Sequence, residues 1–94
     1  MQLIWLRTAL RNLDEEASYI AHDSPQAASL VVQRVLTAVA LLVEQPGLGR
    51  PGRMPGTREL LAPKTRYVVP YRVRGRLVEV LRVFHRSRRP TQRG

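Results

Sequence analysis

The sequence contains no cysteine, only two histidines and a single lysine in 94 residues. Without cysteine, disulfides and thiolate metal sites are excluded. His22 and His85 alone are too few for a typical zinc site, so we expect neither a metal nor another cofactor. No apolar run approaches the roughly 20 residues of a membrane span, and the first ten residues lack the features of a signal peptide. These absences predict a cytoplasmic protein that does not bind a membrane.

Acidic residues are scarce in the second half of the chain. Residues 1–46 hold three arginines against five carboxylates, a net charge of −2, whereas residues 47–94 hold twelve arginines and Lys64 against Glu59 and Glu79, a net charge of +11. A guanidinium binds phosphate or carboxylate through two parallel hydrogen bonds, which lysine cannot do. The excess of arginine therefore predicts an anionic partner, either nucleic acid or an acidic protein segment. The alternative is that these charges only keep the protein in solution.

Two stretches have the apolar spacing of amphipathic helices. The first is predicted over residues 9–21 with Thr8 as its cap. The second runs from Pro25 to about Glu44 and is capped by Asp23 or Ser24. The break between them is too short for a domain boundary, so we expect an antiparallel helical hairpin.

Four segments are rich in strand-forming residues: "QLIWL" (2–6), "TRELL" (57–61), "RYVVPYRV" (66–73) and "RLVEVLRVFH" (76–85), the last being the longest. Pro70 lacks an N–H, so it must lie on an edge or at a bulge. Between the helices and these strands lies "PGLGRPGRMPG" (46–56), whose glycines and prolines predict a loop, either a connector or a binding loop.

The order of these elements predicts an α+β fold with a strand, an antiparallel helical hairpin and then a three-stranded antiparallel run, all strands forming one twisted sheet. We expect one domain over residues 1–90 and a flexible tail over residues 91–94. One sheet face or edge must stay uncovered in so short a chain. Trp5, Tyr19 and Phe84 are interpreted as core residues. The apolar spacing predicts one core formed by Val31, Val35, Val39, Leu42, Leu77, Leu81 and Val83.

His85 is the one plausible general acid or base in the basic half. A ribonuclease needs a base, an acid and cations around the phosphate. Tyr67 and Tyr71 are candidates for the second proton-transfer group or for stacking on bases, and half-buried sheet residues are the alternative. His85 could equally be structural. Glu59 and Glu79 are interpreted as charge partners of neighbouring arginines.

Four motifs along the chain resemble toxins of the ParE/RelE superfamily of bacterial type II toxin–antitoxin pairs. They are "YIAHDSPQAA" (19–28), "PGLGRPGRMPGTRELL" (46–61), "YVVPYRV" (67–73) and "VEVLRVFHRSRRP" (78–90). The resemblance implies the strand, helical hairpin and three-stranded fold described above. It also implies a cognate acidic antitoxin, ParD-like or similar, whose C-terminal segment wraps the toxin in a hetero-oligomer.

The superfamily divides by activity: RelE-like members cut mRNA in the ribosome, and ParE-like members inhibit DNA gyrase. The ribonucleases tend to carry an arginine in the third strand and a tyrosine near the end of the domain. Matching on Tyr71 places Val68 at that arginine position, and Arg86 follows His85 where the tyrosine would stand. The resemblance therefore favours the ParE-like branch and no catalytic residue. The alternatives are a RelE-like mRNA endoribonuclease using His85, Arg66 and Arg82, and a protein of this fold without toxicity.

Gyrase, alone or with its DNA, and the antitoxin are thus the expected partners. We expect the side chains that bind them to be mainly arginines of the second half of the chain. This predicted set is Arg50, Arg53, Arg58, Arg82, His85, Arg86, Arg88 and Arg89.

Overall fold

The computed structural model describes residues 1–88, Arg88 by its backbone only. The tail predicted over residues 91–94 lies outside the described residues. The strands are β1 (Gln2–Trp5), β2 (Arg50–Pro51), β3 (Arg58–Leu61), β4 (Tyr67–Arg74), β5 (Leu77–Val80) and β6 (Phe84–His85). The helices are α1 (Arg7–Ala21) and α2 (Pro25–Ala40), and 3₁₀ turns follow at Leu41–Val43 and Arg86–Arg88.

The two helices confirm the predicted hairpin but differ at one cap. Ser24 caps α2, because its hydroxyl oxygen accepts a hydrogen bond from the Ala27 N–H at 3.1 Å, and Pro25 occupies the first turn. By contrast, α1 begins at Arg7, with Leu6 as its N-cap and no side-chain capping bond. Thr8 lies inside the first turn, so its prediction as the cap was wrong.

Helix α2 and the 3₁₀ turn after it, Pro25–Val43, are long and apolar enough to cross a membrane by length and composition. The expectation that no run approaches a membrane span was therefore wrong for this segment. Its Val35, Ala38, Val39 and Leu42 are buried in the core. The segment therefore supplies one face to the core, while its Leu30, Leu36 and Leu41 remain exposed.

The strands form one mixed sheet in the order β1-β5-β4-β3-β2, with β6 paired to β4. Strand β1 runs parallel to β5, and all other pairs are antiparallel. This confirms the α+β prediction. The short strand β2 was not predicted, because Arg50–Pro51 lies in the glycine- and proline-rich segment. Pro51 is compatible with a strand here since β2 is at the edge of the sheet.

A bulge separates β5 from β6. Tyr71 pairs with Val80 and Val68 pairs with Phe84, so two residues of β4 face three residues, 81–83, on the other side. Pro70 lies at this point, and its carbonyl accepts a hydrogen bond from the Leu81 N–H at 2.9 Å. The prediction that Pro70 occupies an edge or a bulge is confirmed. The prediction of one unbroken strand over residues 76–85 was wrong.

The bulge decides which residues enter the core. Val78, Val80 and Val83 are buried, because the extra residue reverses the alternation of faces after Val80. Leu77 and Leu81 are half-buried and lie outside the core cluster, so their assignment to the core was wrong.

Among the other predicted core residues, some are buried and others are not. Val35, Val39, Leu42 and Val83 are buried as predicted, and Val31 and Trp5 pack against them. Phe84 is half-buried. Tyr19 is 66% exposed, so it is not a core residue.

Tyr71 and Arg58 hold the loop that leads into β2. The buried Tyr71 hydroxyl donates to the Pro46 carbonyl at 2.7 Å and accepts from the Gly49 N–H at 2.8 Å. The Arg58 guanidinium donates to the Gly49 carbonyl, also at 2.7 Å. A Cβ at Gly49 would lie 2.7 Å from the Tyr71 ring, so only glycine fits there without displacing the ring. A segment rich in glycine is thereby fixed in one conformation.

Replacing Tyr71 with phenylalanine is expected to lower the free energy of unfolding by about 1–3 kcal/mol, because the buried Gly49 N–H and Pro46 carbonyl lose their partner. Urea denaturation of the two proteins measures this difference. Tyr19→Phe is the matched control, since that side chain is 66% exposed, and a change at such a surface position should alter stability by no more than about 0.5 kcal/mol. Equal midpoints for wild type and Tyr71→Phe would contradict the anchoring role.

Candidate functional site

A hollow on the described surface lies where α2, the 46–49 loop and β3 meet. It is a cavity of about 620 Å³. A second hollow of about 310 Å³ shares Ala38, Leu41 and Pro63 with it, so the two form one continuous groove. We call this surface the α2–β3 groove. Its lining residues are Leu30, Gln33, Arg34, Thr37, Ala38, Leu41, Leu48, Gly49, Arg50, Glu59, Leu60, Leu61, Pro63, Lys64, Val68 and Arg86.

The groove exposes large apolar side chains. Leu30, Leu41, Leu48 and Leu61 are each between 45% and 48% exposed. Leaving such side chains in water is unfavourable by about 25 cal/mol for each Å² of apolar surface. Contiguous apolar surface with a polar border is typical of a protein interaction site. The groove is therefore a candidate binding site for another polypeptide.

Basic side chains border the groove. Arg34 and Lys64 lie at one end, where the Arg34 guanidinium donates to the Lys64 carbonyl at 3.1 Å, and Arg50 and Arg86 line the larger hollow. Glu59 is the one carboxylate among the described lining residues, and it lies 3.7 Å from the Arg50 guanidinium. The uncompensated charge is thus positive. An apolar segment with acidic neighbours would match both features.

The outer edge of β3 opens into the same groove. Strand β2 pairs with Arg58 and Glu59, and its described register does not extend to Leu60 and Leu61. An extended segment lying in the groove could pair with this stretch of backbone, as in strand addition to a sheet edge. Its side chains would then reach the exposed leucines.

The predicted binding residues are distributed over several surfaces. Arg50 and Arg86 line the groove, Arg53 is exposed in the turn between β2 and β3, and Arg82 is exposed in the bulge. Arg58 is bound to loop carbonyls in this structure. The Arg88 side chain and Arg89 lie outside the described residues. The sequence predicted an uncovered surface, but it did not identify the groove leucines.

His85 is not among the residues that line the groove, and it lies beside the core residue Tyr67. It pairs with Tyr67, and the two rings meet edge to face with centroids 5.3 Å apart. The Ser87 backbone N–H donates to His85 Nδ1 at 3.1 Å, and the Ser87 hydroxyl lies 2.8 Å from the same nitrogen. The backbone donor makes Nδ1 an acceptor, so a neutral ring carries its proton on Nε2.

The sheet tyrosines are packed inside the protein. Tyr67 is 4% exposed, and its hydroxyl donates to Glu16 Oε1 at 2.9 Å; Tyr71 is fully buried. Neither ring presents a face on which a nucleic-acid base could stack. Arg66 and Arg82, the other residues considered for a ribonuclease, are exposed. Within residues 1–88 no group of three or more acidic or histidine side chains could hold a metal ion.

The glutamates of the sheet act as charge partners of arginines, as predicted. Glu79 Oε1 accepts a hydrogen bond from Arg72 Nε at 2.6 Å and lies 3.6 Å from the Arg74 guanidinium. The Arg72 hydrogen bond is the main cause that lowers the pKa of Glu79 below its ordinary value. Glu79 is therefore ionised at neutral pH and holds Arg72 in place.

Known proteins resemble this chain over nearly its whole length. A family model described as the ParE toxin of the type II toxin–antitoxin system parDE matches residues 3–90. A Sinorhizobium fredii protein that carries the toxin name Y4kP is 51% identical over 81 residues, which cover 86% of this chain and 83% of that protein. The toxin RelE2 of Caulobacter vibrioides is 33% identical, covering 93% of this chain and 97% of its own.

Two solved structures share the fold. A chain of the chromosomal ParDE toxin–antitoxin system from P. aeruginosa matches with a TM-score of 0.80 and 33% identity, covering 90% of this chain and 95% of that one. A chain of the RelBE2 toxin–antitoxin complex from Mycobacterium tuberculosis matches with a TM-score of 0.57 and 27% identity, covering 92% and 91%. With its sequence and fold both matched, the chain belongs to the ParE toxin family of type II toxin–antitoxin systems.

Proposed function

We propose that this protein is a cytoplasmic toxin that inhibits DNA gyrase and is neutralised by an acidic antitoxin. The choice of gyrase over mRNA rests on the residues at two positions where ribonuclease relatives keep catalytic side chains. Val68 is 1% exposed where the ribonuclease relatives keep an arginine, and the residue after His85 is Arg86 instead of a tyrosine. A buried valine offers no charge to a phosphate. These two residues therefore support a function in protein binding better than the catalysis of RNA cleavage.

His85 supports the same choice. Its Nδ1 is bound by Ser87 and its ring packs against Tyr67. His85 does not line the α2–β3 groove, whereas the next residue, Arg86, does. A catalyst must lie within hydrogen-bond reach of the proton that it transfers. A ribonuclease site in the groove would therefore need His85 from outside the groove lining.

The α2–β3 groove supports the antitoxin part of the proposal. The similar solved structures come from toxin–antitoxin systems. Exposed leucines, basic borders and an open strand edge suit an extended segment with apolar and acidic residues. Covering Leu41, Leu48 and Leu61 would remove their apolar surface from water.

Ribosome-dependent mRNA cleavage is the second candidate, since the toxin RelE2 is 33% identical to this chain. It would rely on His85 with Arg66 and Arg82. The resemblance to the ParDE chain is closer in structure, with a TM-score of 0.80 against 0.57 for the RelBE2 chain. That difference supports the ParE-like activity.

The purified toxin is expected to block supercoiling by gyrase and to leave mRNA on translating ribosomes uncut. A supercoiling assay and mapping of mRNA 5′ ends measure the two activities on the same preparation. His85→Ala should retain the inhibition of gyrase, because that activity needs no proton transfer by the toxin. A general acid or base contributes about 10²–10⁴-fold to a rate, so cleavage would fall by that factor in the same variant.

Codon-positioned cuts that disappear in His85→Ala, with supercoiling unaffected, would overturn the proposal in favour of the ribonuclease. Induced expression of the chain without its antitoxin tests the remaining possibility. Growth arrest is expected, and unimpaired growth with soluble, folded protein present would indicate a protein of this fold without toxicity.

A further inference from the structure

Two hairpin turns lie side by side at one end of the sheet. The turn between β2 and β3 is closed by a hydrogen bond from the Gly52 N–H to the Thr57 carbonyl at 2.8 Å. The turn between β4 and β5 is formed at Gly75, whose φ of +59° suits glycine. Pro51, Gly56, Thr57, Arg58 and Val73 line one small hollow, which places the first turn beside the end of β4 that leads into the second turn.

These turns concentrate positive charge. Arg53 stands on the first turn and Arg74 and Arg76 on the second, and all three are exposed. Residues 52–57 and 73–78 contain no aspartate or glutamate. Below the second turn, Glu79 holds Arg72 at 2.6 Å and lies 3.6 Å from Arg74. We call Arg53, Arg72, Arg74 and Arg76 the basic tip surface; it is set against the single carboxylate of Glu79.

The basic tip surface differs from the α2–β3 groove in what it offers a partner. The groove exposes four leucines, whereas the exposed large apolar side chains of the two turns are Met54 and Val73. Stable protein interfaces have a buried apolar core. Binding to phosphates requires instead exposed cations at fixed positions. A nucleic-acid backbone therefore fits the tip better than a second polypeptide does.

The geometry of the tip favours a duplex over a single strand. The two turns are two strand positions apart in the sheet, about 10 Å at the usual strand spacing, and both are held by the sheet. Proteins that bind single strands present aromatic rings on which bases stack. Neither turn contains an aromatic residue, and Tyr67 and Tyr71 are buried. Arginines on two turns that the sheet holds in place, without stacking rings beside them, match the regular backbone of double-stranded DNA.

We propose that the basic tip surface binds the phosphate backbone of duplex DNA. The groove stays available to the antitoxin, because its lining residues do not include the arginines of the tip. In a complex with gyrase this contact would hold the toxin against the enzyme's DNA. The inference does not depend on gyrase being the target, since binding to DNA alone tests it.

The test is the affinity of the full chain for a fluorescent duplex of about 20 base pairs and arbitrary sequence, measured by anisotropy at several salt concentrations. The wild type is expected to bind with a Kd of about 10⁻⁴–10⁻⁶ M near physiological salt. Each phosphate contact contributes about 0.9 to the slope of log K against log salt. Replacing Arg53, Arg74 and Arg76 together with serine should therefore reduce that slope by about 2–3.

Two further variants test whether binding to DNA depends on the position of the positive charges. Replacing Arg7, Arg11 and Arg66 with serine removes the same charge from exposed positions outside the two turns, and it should leave most of the slope intact. Glu79→Gln keeps the shape of the side chain but removes its charge, so it should tighten binding to DNA. Circular dichroism on each variant verifies that the folded state is retained.

Three results would overturn the proposal. The first is a wild type that does not bind the duplex at low salt. The second is an equal loss of slope in both triple variants, which would show that net charge alone attracts DNA. The third is a poly-glutamate peptide that binds as tightly as the duplex and loses binding in the Arg53, Arg74 and Arg76 variant, which would assign the surface to an acidic protein. A Met54→Ser variant that binds DNA like the wild type would support a backbone contact.

Discussion

Replacing Leu42 with alanine is expected to lower the free energy of unfolding by about 2–5 kcal/mol. Leu42 is fully buried in the core under the sheet, and the surrounding side chains can fill only part of the space that its removal would leave. The same replacement at the adjacent Leu41, which is 48% exposed, is expected to cost about 1 kcal/mol or less. Urea denaturation with an unchanged m-value measures both differences.

A third leucine tests the bulge. Leu81 is half-buried at the bulge, where its N–H donates to the Pro70 carbonyl. Leu81→Ala should therefore cost distinctly less than Leu42→Ala. A cost for Leu81→Ala equal to that for Leu42→Ala would place Leu81 in the core, and the unbroken strand over residues 76–85 would then describe the protein better than the bulge does.

The helices and the order of the strands could be predicted from the sequence because they depend on local patterns. Apolar spacing located both helices, and Ser24 and Pro25 marked the start of the second. The core face of the last strand could not be predicted in this way. A strict alternation from Leu77 to Val83 assumes an unbroken strand, and one extra residue at a bulge transfers every later side chain to the opposite face. Pro70 signalled the bulge, but not its consequence for the partner strand.

The charge of the candidate site was predicted, and so was an uncovered surface for the antitoxin, but the residues of its apolar part were not. The excess of arginine in the second half indicated an anionic partner, and Arg50 and Arg86 do line the groove. The apolar part was missed because Leu30 and Leu41 fall beside the core stripe of α2, and Leu48 comes from a loop. Such residues become a site only when the chain folds and brings distant segments together. The signal available in the sequence was an apolar residue that lies beside the buried stripe of a helix, because such a residue indicates an exposed apolar surface.

Arg58 is another residue whose role could not be predicted from the sequence. Its charge and its position in a family motif made it a predicted binding residue. In the structure its guanidinium donates to the carbonyls of Gly47 and Gly49, beside the Tyr71 hydroxyl that binds the same loop. Sequence alone could not distinguish an arginine that binds a partner from one that holds the loop lining the partner's groove. Arg58 therefore stabilises the 46–49 loop, and this loop lines the α2–β3 groove.

Introducing aspartate at both Leu41 and Leu61 is expected to weaken binding of the antitoxin by about 100-fold or more, if the groove is its site as proposed. Burying a leucine contributes about 1.5–3 kcal/mol, and each 1.4 kcal/mol corresponds to about a tenfold change in affinity. The new carboxylates would also be repelled by an acidic partner. Both leucines are 46–48% exposed in the free chain, so the fold should tolerate the change.

The matched control is a double variant with aspartate at Leu10 and Leu36. These leucines are 50% and 45% exposed, and neither lines the α2–β3 groove. Calorimetric titration with the purified antitoxin should give near wild-type affinity for the control and a large loss for the Leu41 and Leu61 variant. In cells that co-express the antitoxin, the groove variant should arrest growth while the control does not, because only the former escapes neutralisation. The opposite pattern, with binding lost in the control alone, would assign the antitoxin-binding site to the exposed side of the helical hairpin. The groove would then be a binding site for another partner.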